Sequence, residues 1–376
     1  MTTLDVSVRK VGVEEELLLV DPGTGELRNV AATVLHVHRS AGDDEPGAGP
    51  ATGDLEGELL QHMVETHTDP LTDLGEIADQ IRSARRTAID AARRAGVAVA
   101  ALGIAPLSAA APRVTRNPRY ERIVNEFGDT GLAAGTLGMH VHVDVTDDEE
   151  AIRVVDGLRP WLPVLVALAA NSPYAAGEDT GYATWRQQVW GRWPAAGQSE
   201  PYGSVAEYRR VTEALIATGA ALDSGMLYLD ARLSVDYPTV EIRVADVCTD
   251  VDDALLVVAL ARALVETLAG AGTSPPVRSD LLRAAHWRAA RHGLSGGLLH
   301  PTTLLPVPAA EAVGVLVDRV APALDAAGDR ARVDASLARL GTLGGGARRQ
   351  RQAYERTGSV AGVVADAVAR TEEAVR

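Results

Sequence analysis

Cysteine is nearly absent: Cys248 alone occurs in 376 residues, which excludes an internal disulfide and any multi-cysteine zinc site. Its neighbours Val247 and Thr249 mark it as a packed thiol rather than a nucleophile. Aromatic residues make up only 4% of the chain, with a single Phe, so a local concentration of them stands out. No run approaches the roughly 20 consecutive apolar residues of a membrane helix, and Met1 to Lys10 lack the apolar centre of a secretory signal. The sequence therefore reads as cytoplasmic. Positive charge is also in deficit, with 36 Lys and Arg against 51 Asp and Glu and a net charge of −15. Such a field repels nucleic acid and anionic membranes, so neither is an expected partner. A subset of the acids converging in a cleft would instead hold hard divalent cations.

What is present is enough apolar residue, 46%, for a substantial core. Short strand-like runs alternate with helices in the first half, and from Val251 onward the pattern is almost entirely helical, which predicts an α+β protein. Residues 1–250 are expected to form a sheet-rich core and residues 251–376 a helical C-terminal portion of a single domain. Val11 to Val20 reads as a strand ended by the turn Asp21-Pro22-Gly23-Thr24-Gly25, with Glu26 to Val30 returning as a hairpin partner. Ala41 to Gly53, rich in Gly, Pro, Ala and Asp, reads as a surface loop. Leu71 to Ala95 is an amphipathic helix started by Asp69, Pro70 and Thr72 and ended by Gly96. Val97 to Leu102 is a further strand, while Asn117 to Phe127 and Asp148 to Asn171 are helical.

Three strands place ionisable groups on one face. In Val13-Glu14-Glu15-Glu16-Leu17, the period of two sends Glu14 and Glu16 to one side and Val13, Glu15 and Leu17 to the other. The same rule groups His140, His142 and Asp144 against Met139, Val141 and Val143, and groups Glu241 with Arg243 against Val240, Ile242 and Val244. Any one of these is an ordinary solvated strand face. Together, carboxylates with one imidazole on the concave side of a sheet suit magnesium or manganese. Zinc is disfavoured, because the carboxylates are too many and no histidine lies at helical i+4 spacing. Glu58 and Glu65 lie in a fourth acidic segment that reads equally as a surface helix or as a loop and strand presenting Glu65.

At these segments the chain resembles the glutamate–cysteine ligase family 2, the carboxylate–amine ligases of the glutamine-synthetase-like superfamily. The resemblance rests on Val11-Gly12-Val13-Glu14-Glu15-Glu16, Gly138-Met139-His140-Val141-His142-Val143, Asn171-Ser172-Pro173-Tyr174 with Gly181-Tyr182 and Trp185-Arg186, and Thr239-Val240-Glu241-Ile242-Arg243. It implies a strongly curved antiparallel sheet forming an open funnel, with helices on the convex side. It further implies ATP and Mg2+ or Mn2+ in the concavity, with Glu14, Glu16, Glu58, Glu65, His140 and Glu241 as the metal ligands. Glu241 and Arg243 would be catalytic, with Arg243 on the transferring phosphate. The segment Met63 to Thr68 departs from the family's more apolar pattern there.

The implied reaction is ATP-dependent amide formation between an amino-acid carboxylate and an amine through an acyl phosphate, with glutamate and cysteine as the default pair and a homodimer as the assembly. Arg113, Arg116 and Arg119 form a basic cluster at a helix start. Arg116 is taken as a second nucleotide contact, with a solvated helix start as the equal alternative. Between Asn171 and Trp193 lie Tyr174, Tyr182, Trp185, Trp190 and Trp193. A binding wall with Arg186 gripping a substrate carboxylate, and Tyr182 and Trp185 beside it, is one reading; a loop packed by its own aromatics is the other. Arg348, Arg349 and Arg351 follow Gly344-Gly345-Gly346, which lacks the Lys-Ser/Thr of a Walker loop and reads as a hinge. Two further functions stay open, a phosphagen-type kinase and a non-catalytic nucleotide- or metal-binding regulator.

Overall fold

The ten-residue strand Val11–Val20, β1, is the spine of the molecule. Its β-branched and leucine side chains are buried along most of its length. The structure, a computed structural model, describes residues 8–40, 54–108, 111–132, 135–271 and 277–376. The expected surface loop at 41–53 lies outside these residues. The other strands of the main sheet are β2 (Leu55–Gly57), β3 (Met63–His67), β4 (Ala98–Ala100), β5 (Gly138–Asp144), β6 (Ala231–Leu233) and β7 (Thr239–Asp246). All pairings are antiparallel, in the order β2-β3-β1-β5-β7-β6. The last residues of β1, Leu18 to Val20, pair instead with β4.

One face of this sheet is covered by two long helices. Leu74–Arg94 is capped by Asp73, whose carboxylate accepts the N–H groups of Gly75 and Glu76; the start signals at Asp69 and Thr72 therefore fall outside the helix. Val251–Ala269 is buried on nearly every side, as its all-round apolar composition demands. The fold is thus the curved antiparallel sheet with helices on one side that the sequence predicts, and the opposite face is left open as a cleft.

Several elements differ from expectation. The turn after β1 forms as predicted, with the Asp21 carboxylate accepting from Gly23 and Thr24 and Gly25 at φ +73°. The return strand, however, shrinks to a single bridge between Val20 and Leu27, because a helix begins at Ala31. The helical stretch Asp148 to Asn171 is two helices, Asp148–Leu158 and Leu162–Ala169, broken at Pro160, with Pro163 in the first turn of the second. Met63 to His67 resolves as strand β3 rather than helix. Gly345 caps the helix Gly346–Thr357, and that helix is tied down by Arg349, paired with Asp250 and Asp253 at the start of the Val251–Ala269 helix.

Candidate active site

The cleft, about 330 Å³, is lined by Glu14, Glu16, Glu58, Glu65, His140 and Glu241, so all six positions that the resemblance implies as metal ligands meet there, with Arg243 among them. Sheet register explains how. Glu14 lies directly opposite His140 across β1 and β5, Glu16 opposite Glu65 across β1 and β3, and His142 opposite Glu241 across β5 and β7. Four strands thereby carry a diagonal band of ligands over one face. Between β5 and β7 the register shifts, so that Arg243 and Val244 together oppose His140. This bulge sets Arg243 beside the band, the kind of re-aiming for which bulges recur at active sites.

Hydrogen bonding and charge fix the individual groups. His140 Nδ1 is 3.0 Å from Glu14, and Gly138 donates its N–H to Glu16. Glu241 is held between two guanidinium groups, Arg232 at 2.6 Å and Arg243. Burial works against ionising Glu241, yet Arg243 and Arg232 keep its carboxyl well below the usual range. Glu14 is likewise held far down against its burial by His140 and His142. Burial, followed by the charge of Glu16, pushes Glu58 up to about 7. Burial and the neighbouring carboxylates raise Glu65 well above its ordinary value. His140 is lowered by burial and by Arg243, which favours a neutral ring able to act as a ligand.

The donor set fits divalent cations. Three groups, Glu14-Glu65-His140, Glu14-His142-Glu241 and Glu16-Glu58-Glu65, each bring ligand atoms within 4.8 Å of one another. Nε2 of His140 is buried without a hydrogen-bond partner among the described residues, and Nε2 of His142 lies 3.1 Å from a Glu14 carboxylate oxygen. Like charges directly opposite across a strand pair, as in Glu16 and Glu65, are destabilising on their own. Shared cations would relieve both anomalies, and a mostly oxygen set with an imidazole suits magnesium or manganese.

Other expected contacts are not brought to the cleft. Arg116 and Arg113 are exposed at the helix start, and Arg119 lines the cleft instead, held by both carboxylate oxygens of Asp223. Tyr182 and Trp185 pack on each other, and Tyr182 meets Arg291 and Trp287 away from the cleft. Arg186 is 1% exposed and lies behind the lining residue Trp190. It occupies the space over Gly138, where any Cβ would collide with its guanidinium. Trp190 and Trp193 do line the cleft. Of the family-like motif around Asn171, Asn171 and Ser172 are structural, binding backbone carbonyls and Asp246. Residues that sequence reasoning left out are His142 as a ligand, Arg232 and Tyr228.

Comparison with known proteins agrees with this geometry. The pattern of the family "Glutamate-cysteine ligase family 2(GCS2)" matches residues 10–370. A Nocardioides sp. protein named "Putative glutamate–cysteine ligase 2-1" is 53% identical over 97% of this chain and 96% of its own length. A Streptomyces coelicolor protein of the same series is 47% identical over 98% of this chain and 100% of its own. Among solved structures, glutamate–cysteine ligase from Francisella tularensis in complex with AMP superposes with a TM-score of 0.65 at 12% identity, over 98% of this chain and 89% of its own. A bifunctional glutathione synthetase from Pasteurella multocida gives a TM-score of 0.68 at 14% identity over 98% of this chain. The present chain spans about half, 52%, of that longer one. These structures share the fold, and the full-length sequence match shows that the chain belongs to the glutamate–cysteine ligase family 2.

Proposed function

We propose that the protein is an ATP-dependent ligase that activates an amino-acid carboxylate, by default the γ-carboxyl of glutamate, and joins it to an amine, by default cysteine. The observation that carries this reading is the band of Glu14, Glu16, Glu58, Glu65, His140, His142 and Glu241 beside Arg243 in one cleft. A carboxylate is a poor electrophile, so the γ-phosphoryl of ATP must first pass to it, giving an acyl phosphate that the amine attacks with loss of phosphate.

The seven ligands would hold Mg2+ or Mn2+, which supply charge neutralisation on the phosphate oxygens. The chain's own residues do the remainder. Arg243, kept cationic by Glu241, Glu14 and Glu16 despite its burial, faces the site of developing phosphoryl charge. Glu241 and Arg232 fix where that cation points. Trp190 and Trp193 close the wall and keep water from the mixed anhydride. Likeness to proteins named as glutamate–cysteine ligases supports the substrate pair.

The test is ADP release across a panel of amino acids and amines with Mg2+ or Mn2+. A ligase requires both a carboxylate and an amine, whereas a phosphagen-type kinase releases ADP with a single acceptor and makes no amide. Arg243→Ala is expected to cost on the order of 100-fold or more in turnover with modest loss of nucleotide affinity. Near-normal turnover removes Arg243 from this role. MgATP binding by the parent without turnover on any pair, unchanged in Glu16→Gln, supports a non-catalytic regulator instead.

A further inference from the structure

The bulge in β7 is held by one short helix, Arg186–Trp190. Nη2 of Arg186 donates to the carbonyl of Arg243 at 3.2 Å, and Nε2 of the next residue, Gln187, donates to the carbonyl of Val244 at 2.6 Å. Arg243 and Val244 are the two residues that together oppose His140. The Arg243 N–H donates in turn to the carbonyl of Asp230 at 2.9 Å, so both main-chain groups of Arg243 are tied. The helix is itself anchored, since the Arg186 N–H donates to the Ser172 hydroxyl, which donates to Asp246 at the end of β7.

The Arg186 guanidinium is left short of partners. It is buried, and its Nε and Nη1 have no hydrogen-bond partner among the described residues. No carboxylate forms an ion pair with it among those residues: the Asp246 oxygens are taken by Asn171, Ser172 and Thr184, and Asp230 faces His286. A buried cation in that state lowers stability, and an uncharged side chain of similar length would fill the space without the penalty. What the guanidinium does touch belongs to the reaction machinery. Its Cζ lies 5.4 Å from the centroid of the Trp190 ring, and Arg243 Cζ lies 5.9 Å from the same ring, so one aromatic of the cleft wall rests against both cations. The group also covers Gly138, whose N–H donates to Glu16.

We propose that Arg186 is a positioning residue of the phosphoryl-transfer step: by holding the Arg243 carbonyl and backing Trp190 it sets where the Arg243 guanidinium points, and the fold keeps an unpaired buried cation for that alignment. This rests on the ligase reading above. Arg186 then acts through Arg243 and makes no contact with substrate, unlike a guanidinium that grips a carboxylate. Sites that trade stability for function carry such locally unfavourable groups, and a displacement of about 1 Å in a reacting group reaches the order of 100-fold in rate.

The test compares the full-length parent with Arg186→Met, Arg243→Lys and the double variant, by thermal unfolding and by steady-state ADP release with Mg2+ on a carboxylate–amine pair that the parent turns over. Arg186→Met is expected to unfold at the parent's temperature or above it, with kcat reduced on the order of tenfold and KM for ATP and both substrates within about twofold. In the Arg243→Lys background the same change should lower kcat by less than about twofold, because the group to be aligned is gone. If Tm falls as well, this cycle decides between alignment and simple loss of structure. Unchanged kcat in Arg186→Met overturns the assignment, and so does an equal loss in both backgrounds, which marks a residue that serves the fold alone. A raised KM for the amino acid at unchanged kcat overturns it too, since Arg186 then grips substrate. Each of these leaves the ligase reading standing, whereas a parent that turns over no carboxylate–amine pair removes that reading and this assignment with it.

Discussion

Three consecutive glutamates on β1 are predicted to respond in opposite ways to the same chemical change. Glu15 points away from the cleft, is 2% exposed, and receives both Nε and Nη2 of Arg85 at 2.8 and 2.6 Å. Arg85 is itself 0% exposed, and its other hydrogens go to the carbonyls of Thr249 and Cys248. Glu15→Gln keeps the shape but leaves a buried guanidinium without a counter-charge, a loss of about 3–5 kcal/mol. For a chain of this size that is a fall in Tm of roughly 4–6 °C. Glu16→Gln removes a charge from a crowded carboxylate cluster, so the metal-free protein should unfold at the same temperature as the parent or above it, whereas Glu14→Gln weakens the contacts with His140 and His142 and should cost some stability, less than Glu15→Gln does. The cost appears in the ion response: the rise in Tm on adding Mg2+ shrinks or vanishes in these two variants and persists in Glu15→Gln, whose ligand band is intact. Differential scanning fluorimetry of the four proteins in EDTA and in MgCl2 reads all of this. Equal destabilisation of the three variants in EDTA, or loss of the Mg2+ response in Glu15→Gln, would refute the division of β1 into a chemical and a structural face.

The raised carboxyls give a pH dependence of defined sign. Folded Glu58 titrates at about 7 against an ordinary 4.5, and Glu65 is shifted the same way. These two carboxyls bind more protons in the ion-free fold than in the unfolded chain in that window, so their contribution to stability falls as pH rises from about 4.5 to 7, against the opposite contribution of His62 and His140, which burial keeps neutral. Thermal unfolding in EDTA between pH 5 and 8 checks the slope, which saturating Mg2+ should flatten; a flat profile in EDTA contradicts the proposed crowding. Arg349→Leu takes one of two guanidinium partners from both Asp253 and Asp250 and leaves Arg339 to the pair. It is expected to lower stability by about 1–3 kcal/mol, less than a fully uncompensated buried charge costs, without altering the Mg2+-induced shift in Tm, measured in the same assay.

Much of the cleft was legible in the chain because side-chain parity along a strand is a local property. Glu14 with Glu16, His140 with His142, and Glu241 with Arg243 each follow from counting by two. Which pairs face one another across strands is set by register, and no local pattern shows that Glu16 meets Glu65 or that His142 meets Glu241. Arg232 was missed because β6 is three residues long and has no alternation to read; its signal is its position opposite Glu241. Glu15 looked like an acid stranded on an apolar face, since its counter-ion lies seventy residues away on a helix. Arg119 rather than Arg116 reaches the cleft because the helix starts at Pro118, which sends the two arginines in different directions. Tyr182 and Trp185 were grouped with Trp190 by composition alone, and the short helix Arg186–Trp190 turns the last of these toward the cleft and the first two away.

The cleft takes no lining residue from beyond Arg243 among the described residues, whereas the Val251–Ala269 helix and those docked on it supply the reverse side of the sheet. The polypeptide beyond Arg243 thus adds packing and no lining to this cleft, while the stretch before it carries both, the buried pair of Arg85 and Glu15 included. Repacking the final third is a route to a hardier catalyst that leaves ligand affinities alone, and changes in selectivity must be sought upstream of it.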